Sequence, residues 1–120
     1  WFKAKVQNVT GNFWIALDRQ DQPIGQVRFD PLSTETTQIS LSLDRNYRHQ
    51  GLGKAVLKAA IRKIFCETSF LSISAWIKLE NIASISVFES VQFVKIETEY
   101  KEREMALHYQ LRKPMREEIG

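Results

Sequence analysis

The stretch Arg48-His49-Gln50-Gly51-Leu52-Gly53-Lys54-Ala55 decides the fold of this chain, because two glycines one residue apart stand directly before a long apolar-patterned segment. Glycine is costly inside regular structure, so such a pair predicts a backbone that bends sharply or that a ligand approaches closely. Ahead of it, Ile39, Leu41 and Leu43 alternate with polar residues, which is typical of a half-buried strand. Behind it, a helix of about four turns is indicated by apolar residues at helical spacing: Leu52, Val56, Ala60 and Ile64.

A strand, a glycine-bearing turn and a helix N-terminus together favour an anion site. The first turn of a helix has N–H groups without intrahelical partners and carries a partial positive charge. Gly51 and Gly53 remove side chains where a phosphate would touch the backbone, while Arg45 and Arg48 add positive charge nearby. Arginine binds phosphate oxygens through two parallel N–H bonds. The stretch therefore predicts a pyrophosphate site.

Two common phosphate motifs do not fit this stretch. The dinucleotide-binding fingerprint requires a third glycine where the chain has Val56, and the P-loop requires serine or threonine where the chain has Ala55. The predicted phosphate loop is therefore of another type.

The N-terminal part of the chain predicts a helix end followed by a hairpin. The apolar spacing of residues 1–9 predicts the tail of a helix, which Thr10-Gly11-Asn12 would end. Residues 13–17 and 24–29 are aromatic and β-branched and predict the two hairpin strands. Pro23 is expected at the corner or on the first residue of the second strand.

The C-terminal half continues the alternation of strands and helices. The pattern predicts a strand at 71–77, a short helix with Asn81 as its N-cap, and a final pair of strands at 93–100 and 105–111. The whole order predicts an α/β fold in which helices pack on a mixed sheet.

Composition bounds the domain organisation. The 120 residues, 43% of them apolar, fit one compact domain over residues 1–120, with a tail from residue 112. Since the chain begins at Trp1 within a helix-like pattern, we expect it to be the excised C-terminal domain of a longer protein.

Charge and cysteine content exclude several classes of partner. Lysine and arginine number 17 against 14 acidic residues, giving a net charge of +3 without a long basic run, which argues against a nucleic-acid partner. No segment approaches the roughly 18 apolar residues of a membrane span, so no membrane partner is expected. The single cysteine, Cys66, excludes a cysteine-based metal cluster, and we expect no metal and a reducing, cytoplasmic location. Cys66 itself is predicted to be buried at the end of the helix.

The glycine stretch resembles the acyl-CoA pyrophosphate loop of the GNAT superfamily of N-acetyltransferases. The family pattern Arg/Gln-x-x-Gly-x-Gly/Ala is met by Arg48, Gly51 and Gly53. Downstream, the segment "ENIASISVFESVQF" resembles the family element Asn-x-x-(Ser/Ala)…(Tyr/Phe)-Glu-x-x-Gly-Phe, carried here by Asn81, Ser84, Phe88, Glu89 and Phe93. The resemblance spans roughly residues 13–111. It implies a mostly antiparallel sheet splayed at one parallel strand pair, with helices on both faces and the N-terminal elements of the family missing.

The resemblance implies acetyl-CoA as cosubstrate. The pantetheine arm would lie along the first strand of the parallel pair, the pyrophosphate would rest on backbone N–H groups of the glycine stretch, and Asn81 would bond to the pantetheine. The cofactor-binding residues so implied are Leu41, Ser42, Leu43, Arg48, Gln50, Gly51, Leu52, Gly53, Lys54, Asn81, Ser84 and Phe88.

In the family the amine attacks the thioester directly, and the enzyme contributes positioning and a polarised carbonyl. Glu35, Ser40 and Ser42 are the candidates to take the amine proton. Phe88 stands where many members have a tyrosine that protonates the leaving thiolate, so Ser86 or a water is the candidate proton donor. Gln92 replaces the usual glycine before Phe93.

The segments "WF", "PIGQVRFD", "ISLSLD" and "KLENIASISVFE" together resemble the subgroup that acetylates a nucleotide-linked amino sugar in bacterial pseudaminic-acid-type pathways. In that subgroup the domain is sometimes fused behind another enzyme domain, and a homodimer is also expected from the family. Three alternatives stay open: acetylation of a protein N-terminus, acetylation of a polyamine, and a non-catalytic acyl-CoA-binding module, which Phe88 and Gln92 favour. Among other side chains, His49 and His108 are expected at the surface, and Trp76 near the acceptor.

Overall fold

Seven strands form one mixed sheet in the computed structural model, which describes residues 4–48, 51–101 and 103–114. The strand order across the sheet is β1-β2-β3-β4-β5-β7-β6. The elements in chain order are β1 Lys5–Thr10, β2 Phe13–Leu17, β3 Pro23–Pro31, β4 Thr36–Leu43, α1 Leu52–Glu67, β5 Ser72–Lys78, α2 Ile82–Ser90, β6 Val94–Lys101 and β7 Glu104–Arg112, with a 3-10 turn at Arg45–Tyr47 before α1.

The parallel pair β4–β5 interrupts an otherwise antiparallel sheet, as the resemblance implied. The two strands pair only from Thr36 opposite Ser72 to Gln38 opposite Ser74. Beyond Gln38, β4 continues to Leu43 and β5 to Lys78 without pairing to each other, so the sheet opens between them.

Both helices pack on the same face of the sheet. α1 buries an apolar stripe against that face, namely Leu52, Val56, Leu57, Ala60, Ile64 and Phe65. The stripe shares one core with Ile73, Ala75 and Ile77 of β5 and with Phe88 of α2.

This arrangement differs from the implied helices on both faces. The connections β4–α1–β5 and β5–α2–β6 each join parallel strands and advance in the same direction across the sheet. Right-handed crossovers of that kind place both helices on one side. The opposite face of the sheet is polar near the opening, and we call it the polar face; it carries Arg28, Asp30, Gln38, Ser40, Trp76 and Lys78.

The helix tail predicted for residues 1–9 was wrong where the structure describes it. Lys5–Thr10 is a strand that pairs antiparallel with β2 through a tight hairpin. Gly11, at φ +51°, turns the chain, and the Asn8 side chain donates to the carbonyls of Gly11 and Phe13. Pairing satisfies backbone groups along the outer edge of β2, and this tertiary gain outweighs the local helical spacing. Trp1 and Phe2, on which that prediction also relied, lie outside the described residues.

Most other predicted elements are confirmed. The β2–β3 and β6–β7 hairpins form, Pro23 is the first residue of β3, and Asn81 caps α2. Cys66 is exposed, contrary to prediction, because Phe65 takes the core-facing position in the last turn of α1. No helix among the described residues is long and apolar enough to cross a membrane.

Candidate functional site

A cavity of about 580 Å³ lies where the open end of β4 meets the start of α1 and the length of α2. We call it the helix-side cavity. Ten of the twelve predicted cofactor residues line it: Leu41, Ser42, Leu43, Arg48, Gly51, Gly53, Lys54, Asn81, Ser84 and Phe88. Leu52 is buried in the core at 5% exposure and does not line it, and Gln50 lies outside the described residues. Ala83 and Val87 also line the cavity and were not predicted.

The glycine turn leaves the start of α1 open. Gly51 adopts a left-handed conformation, φ 77° and ψ 0°, and is the N-cap of α1 without a side-chain cap. A Cβ atom at Gly53 would lie 3.6 Å from Leu43 Cδ1 and 3.6 Å from a methyl of Val87, so a side chain there would enter the gap between β4 and α2. The uncapped N–H groups and the missing side chains together make a cradle of the kind that binds phosphate.

Arg48 is held beside this cradle. Its Nε donates to the carbonyl oxygen of Leu43 at 3.1 Å, which ties the guanidinium group to the end of β4. The residue is exposed, so its charge is available at the mouth of the cavity.

Asn81 caps α2 and lies at the helix-side cavity. Its Oδ1 accepts the backbone N–H of Ser84 at 3.1 Å, which caps α2. The cap uses the carbonyl oxygen and leaves the amide N–H donors outside that interaction. Asn81 is exposed and lines the cavity.

Phe88 and Gln92 are the two positions where the chain departs from the family pattern. Phe88 lines the cavity at 5% exposure and packs edge-to-face on Phe93, with ring centroids 4.9 Å apart. Gln92 takes φ 78°, a conformation that favours glycine, so the family turn persists here at some conformational cost. The chain therefore has no hydroxyl group at position 88 and carries a side chain at the left-handed position 92.

The structure separates the predicted proton-transfer residues. Ser42 lines the helix-side cavity, but Glu35 lies beyond the opposite end of β4, seven residues away, roughly 23 Å along an extended strand. Glu35 instead accepts the backbone N–H groups of Leu71 and Ser72 through its carbonyl oxygen. Ser86 is exposed and lies two residues from both Ser84 and Phe88, on the opposite side of α2. Neither Glu35 nor Ser86 lines the cavity.

A second cavity, of about 530 Å³, lies on the polar face beside the same sheet opening. We call it the polar-face cavity. It is lined by Arg28, Asp30, Gln38, Ser40, Trp76, Lys78, Lys101, Glu104 and Ala106. Ser40, a predicted proton acceptor, lines this cavity and not the helix-side cavity.

Trp76 lines the polar-face cavity and is held there by side-chain contacts that the sequence analysis did not predict. Its indole N–H donates to Glu99 Oε2 at 2.6 Å, and the His108 ring stacks on it at 4.3 Å between centroids. His108 Nε2 lies 3.1 Å from Ser74 Oγ. The expected surface position of His108 was wrong, since its side chain is only 15% exposed. The register that sets His108 opposite both Trp76 and Glu97 arises from strand pairing and leaves no local signal.

The surroundings shift the pKa values of two neighbouring carboxyl groups in this network in opposite directions. The hydrogen bond from the Trp76 indole, reinforced by one from Glu97, lowers the pKa of the Glu99 carboxyl. The hydrogen bond to Glu99 and the charge of Glu99 raise the pKa of the Glu97 carboxyl. Of the two carboxyl groups, Glu99 is therefore the one that ionises at the lower pH.

Comparison with known proteins gives one family match. The family described as acetyltransferase (GNAT) family matches residues 2–93. None of the curated proteins matches the chain.

Several solved structures share the fold. The spermidine N-acetyltransferase from Vibrio cholerae in complex with CoA and spermine has a TM-score of 0.77 at 14% identity, with 83% of this chain and 64% of that chain covered. For the acetyltransferase (GNAT family) from Bacillus anthracis the TM-score is 0.77 at 18% identity, covering 88% and 68%. For the ribosomal-protein-S5-alanine acetyltransferase from Vibrio fischeri it is 0.74 at 20% identity, covering 85% and 63%. The chain spans less than two thirds of the length of the spermidine acetyltransferases that it matches.

Proposed function

Because the chain belongs to the acetyltransferase (GNAT) family, we propose that it transfers an acetyl group from acetyl-CoA to a primary amine. The observation that carries this proposal is the helix-side cavity, where residues from β4, the glycine turn and α2 meet. These elements are far apart in the sequence, and the sheet opening is what brings them together.

The residues of the cavity fit acetyl-CoA. The uncapped start of α1, the missing side chain at Gly53 and the charge of Arg48 suit a pyrophosphate. The half-buried Leu41 and Leu43 belong to the stretch of β4 that is not paired with β5, so that strand edge can bond an extended amide chain such as pantetheine beside the Leu43 carbonyl that Arg48 already bonds. When bound, acetyl-CoA supplies the activated acetyl thioester.

The chain's own contribution to the reaction is positional. The opening between β4 and β5 gives access to the acetyl site from both faces of the sheet, and holding amine and thioester together there lowers the entropic part of the barrier. Ser42 lies on β4 at this opening and remains the candidate for handling the amine proton, directly or through water. Phe88 excludes water from the inner wall and offers no proton, so we assign protonation of the leaving thiolate to solvent.

For the acceptor we propose the amino group of a nucleotide-linked amino sugar in bacterial surface-glycan synthesis. The support is the resemblance carried by "PIGQVRFD", "ISLSLD" and "KLENIASISVFE". A polyamine is the second candidate, supported by the fold shared with the spermidine acetyltransferases. We also propose that the enzyme is cytoplasmic, that it forms a homodimer, and that another enzyme domain is fused on its N-terminal side.

Calorimetric titration of acetyl-CoA into the chain tests the cofactor site. Gly53→Glu places a carboxylate in the cradle at a position where the first side-chain atom fits at ordinary contact distance. We expect the wild type to bind with micromolar affinity and Gly53→Glu to bind at least tenfold more weakly. Arg62→Gln, which makes the same change in net charge on the exposed side of α1, serves as the control and should bind like the wild type.

Turnover separates the functional alternatives. Release of CoA thiol is followed with acetyl-CoA and, in turn, a nucleotide-linked amino sugar, spermidine and a peptide with a free N-terminus. Binding with turnover of one amine supports the enzyme and names its acceptor. Binding without turnover of any of them favours the non-catalytic acyl-CoA-binding module, and absence of binding overturns the proposal.

A further inference from the structure

An ammonium group already sits in the polar-face cavity. Lys101 Nζ lies 3.4 Å from the centroid of the Trp76 ring and 3.5 Å from Gln38 Oε1. Because His108 stacks on the same ring at 4.3 Å, the lysine and the histidine cover opposite faces of the indole. The cavity therefore presents one aromatic face and one amide oxygen to a cation.

The aromatic face is rigidly presented. Glu99 anchors the indole nitrogen at 2.6 Å, and His108, itself 3.1 Å from Ser74 Oγ, supports the far face of the ring. A tryptophan face fixed in this way attracts ammonium groups through its negative quadrupole, and partial removal from water strengthens the attraction.

The charges around Trp76 favour a cation and disfavour an anion. Arg28 bonds Asp30 at 3.1 Å, and Lys78 lies 3.4 Å from Glu104, so these two cations are neutralised by their neighbours. Without Lys101, the lining cations Arg28 and Lys78 are matched by Asp30 and Glu104, and the Glu99 carboxylate bonded to the Trp76 indole adds a further negative charge. A phosphate entering beside the ring would meet this excess negative charge.

Lys101 can leave this position without a change of fold. It is the last residue of β6, and its side chain contacts Trp76 and Gln38. Rotation of its long side chain into solvent would uncover the indole face. Gln38 is the last residue of β4 that pairs with β5, so the uncovered site borders the sheet opening.

We propose that the polar-face cavity is a binding site for a primary ammonium group, that Trp76 and Gln38 are its recognition residues, and that Lys101 occupies the site until a ligand replaces it. This inference rests on the proposed function in one respect: the bound ammonium would be that of the acceptor amine, delivered to the opening from the side opposite the helix-side cavity. A polyamine and an amino sugar share this chemistry.

Binding is measured without acetyl-CoA, by following the Trp76 indole N–H signal in ¹⁵N NMR spectra during titration with spermidine and, separately, with glucosamine. Lys101→Met removes the internal competitor while keeping an apolar stem. We expect Lys101→Met to bind at least one of the two amines threefold or more tightly than the wild type does. Lys95→Met, on the same strand and exposed, should bind like the wild type.

The outcomes distinguish a polyamine from a sugar amine, and amine binding from anion binding. Tightening for spermidine alone indicates a polyamine, and tightening for glucosamine alone indicates a sugar amine. Unchanged or weaker amine binding in Lys101→Met overturns the proposal, as does pyrophosphate binding that is lost in Lys101→Met, which would make Lys101 an anion ligand. Acetyl-CoA binding is tested at the other cavity, so a failed cofactor titration overturns the proposed function and leaves this measurement interpretable.

Discussion

The hydroxyl groups of Thr36 and Ser72 lie 2.7 Å apart and join β4 to β5 at the closed end of the parallel pair. Only three residue pairs connect these strands before the sheet opens, and this side-chain bond adds to them at the closed end. Ser72 is buried at 8% exposure, which makes its replacement informative.

Replacing Ser72 with alanine should lower the free energy of unfolding by about 1 kcal/mol, because the Thr36 hydroxyl loses a partly buried partner. Urea unfolding monitored by circular dichroism measures this. In a double-mutant cycle with Thr36→Val, the second substitution should cost less in the Ser72→Ala background than alone. Ser86→Ala, on the exposed side of α2, is the matched control. Additive effects would contradict a bond between the two hydroxyls.

Tyr109 ties β7 to α2 by donating its buried hydroxyl to Glu89 Oε2 at 2.6 Å. Tyr109→Phe should lower the stability at pH 7 by about 1–2 kcal/mol. Burial, with the neighbouring Glu89 carboxylate, raises the pKa of Tyr109 to about 12, above the ordinary value of 10.0.

A raised folded-state pKa stabilises the protein below the unfolded-state pKa and ceases to do so as the pH rises through the folded-state value. The stability advantage of wild type over Tyr109→Phe should therefore be constant up to pH 10 and shrink between pH 10 and 12. Guanidinium unfolding of both proteins at pH 7, 9 and 11 checks this. A difference that stays the same at pH 11 would show that the hydroxyl titrates normally.

Local patterns predicted the parts of this fold that local forces determine. The apolar stripe of α1, the alternation Ile39-Leu41 in β4 and the Asn81 cap each follow from residues within a few positions of one another. The cofactor residues followed from the resemblance, and the structure brings ten of them around one cavity.

The errors arose where long-range pairing decides the outcome. Lys5–Thr10 forms a strand because an edge of β2 is available to it, and His108 is covered because the register of β5, β7 and β6 stacks it on Trp76. Glu35 was placed near the amine site because its distance along β4 could not be judged before the end of the strand pairing was known. None of these facts has a signature within a short window of sequence.

Gln92 holds a left-handed backbone conformation at φ 78°, which costs a residue with a side chain more than it costs glycine. Gln92→Gly should therefore raise the free energy of unfolding by about 0.5–1 kcal/mol and raise the melting temperature. Thermal unfolding measures the shift. Gln110→Gly, within β7, should have the opposite sign because glycine weakens a strand interior. A loss of stability in Gln92→Gly would mean that contacts of the side chain outweigh the strain.

Arg48→Ala and Arg45→Ala each remove one positive charge, so a comparison of the two variants tests the anion site. Arg48 lines the helix-side cavity and is tethered to Leu43, whereas Arg45 lies in the preceding 3-10 turn and does not line it. Arg48→Ala should weaken acetyl-CoA binding roughly tenfold, the size of a charge-assisted hydrogen bond to phosphate, and Arg45→Ala should weaken it no more than twofold. Calorimetry at low and at high salt distinguishes a direct contact from general attraction, because only the latter is screened away. Equal losses in the two variants at low salt, both abolished at high salt, would place the pyrophosphate elsewhere than beside Arg48.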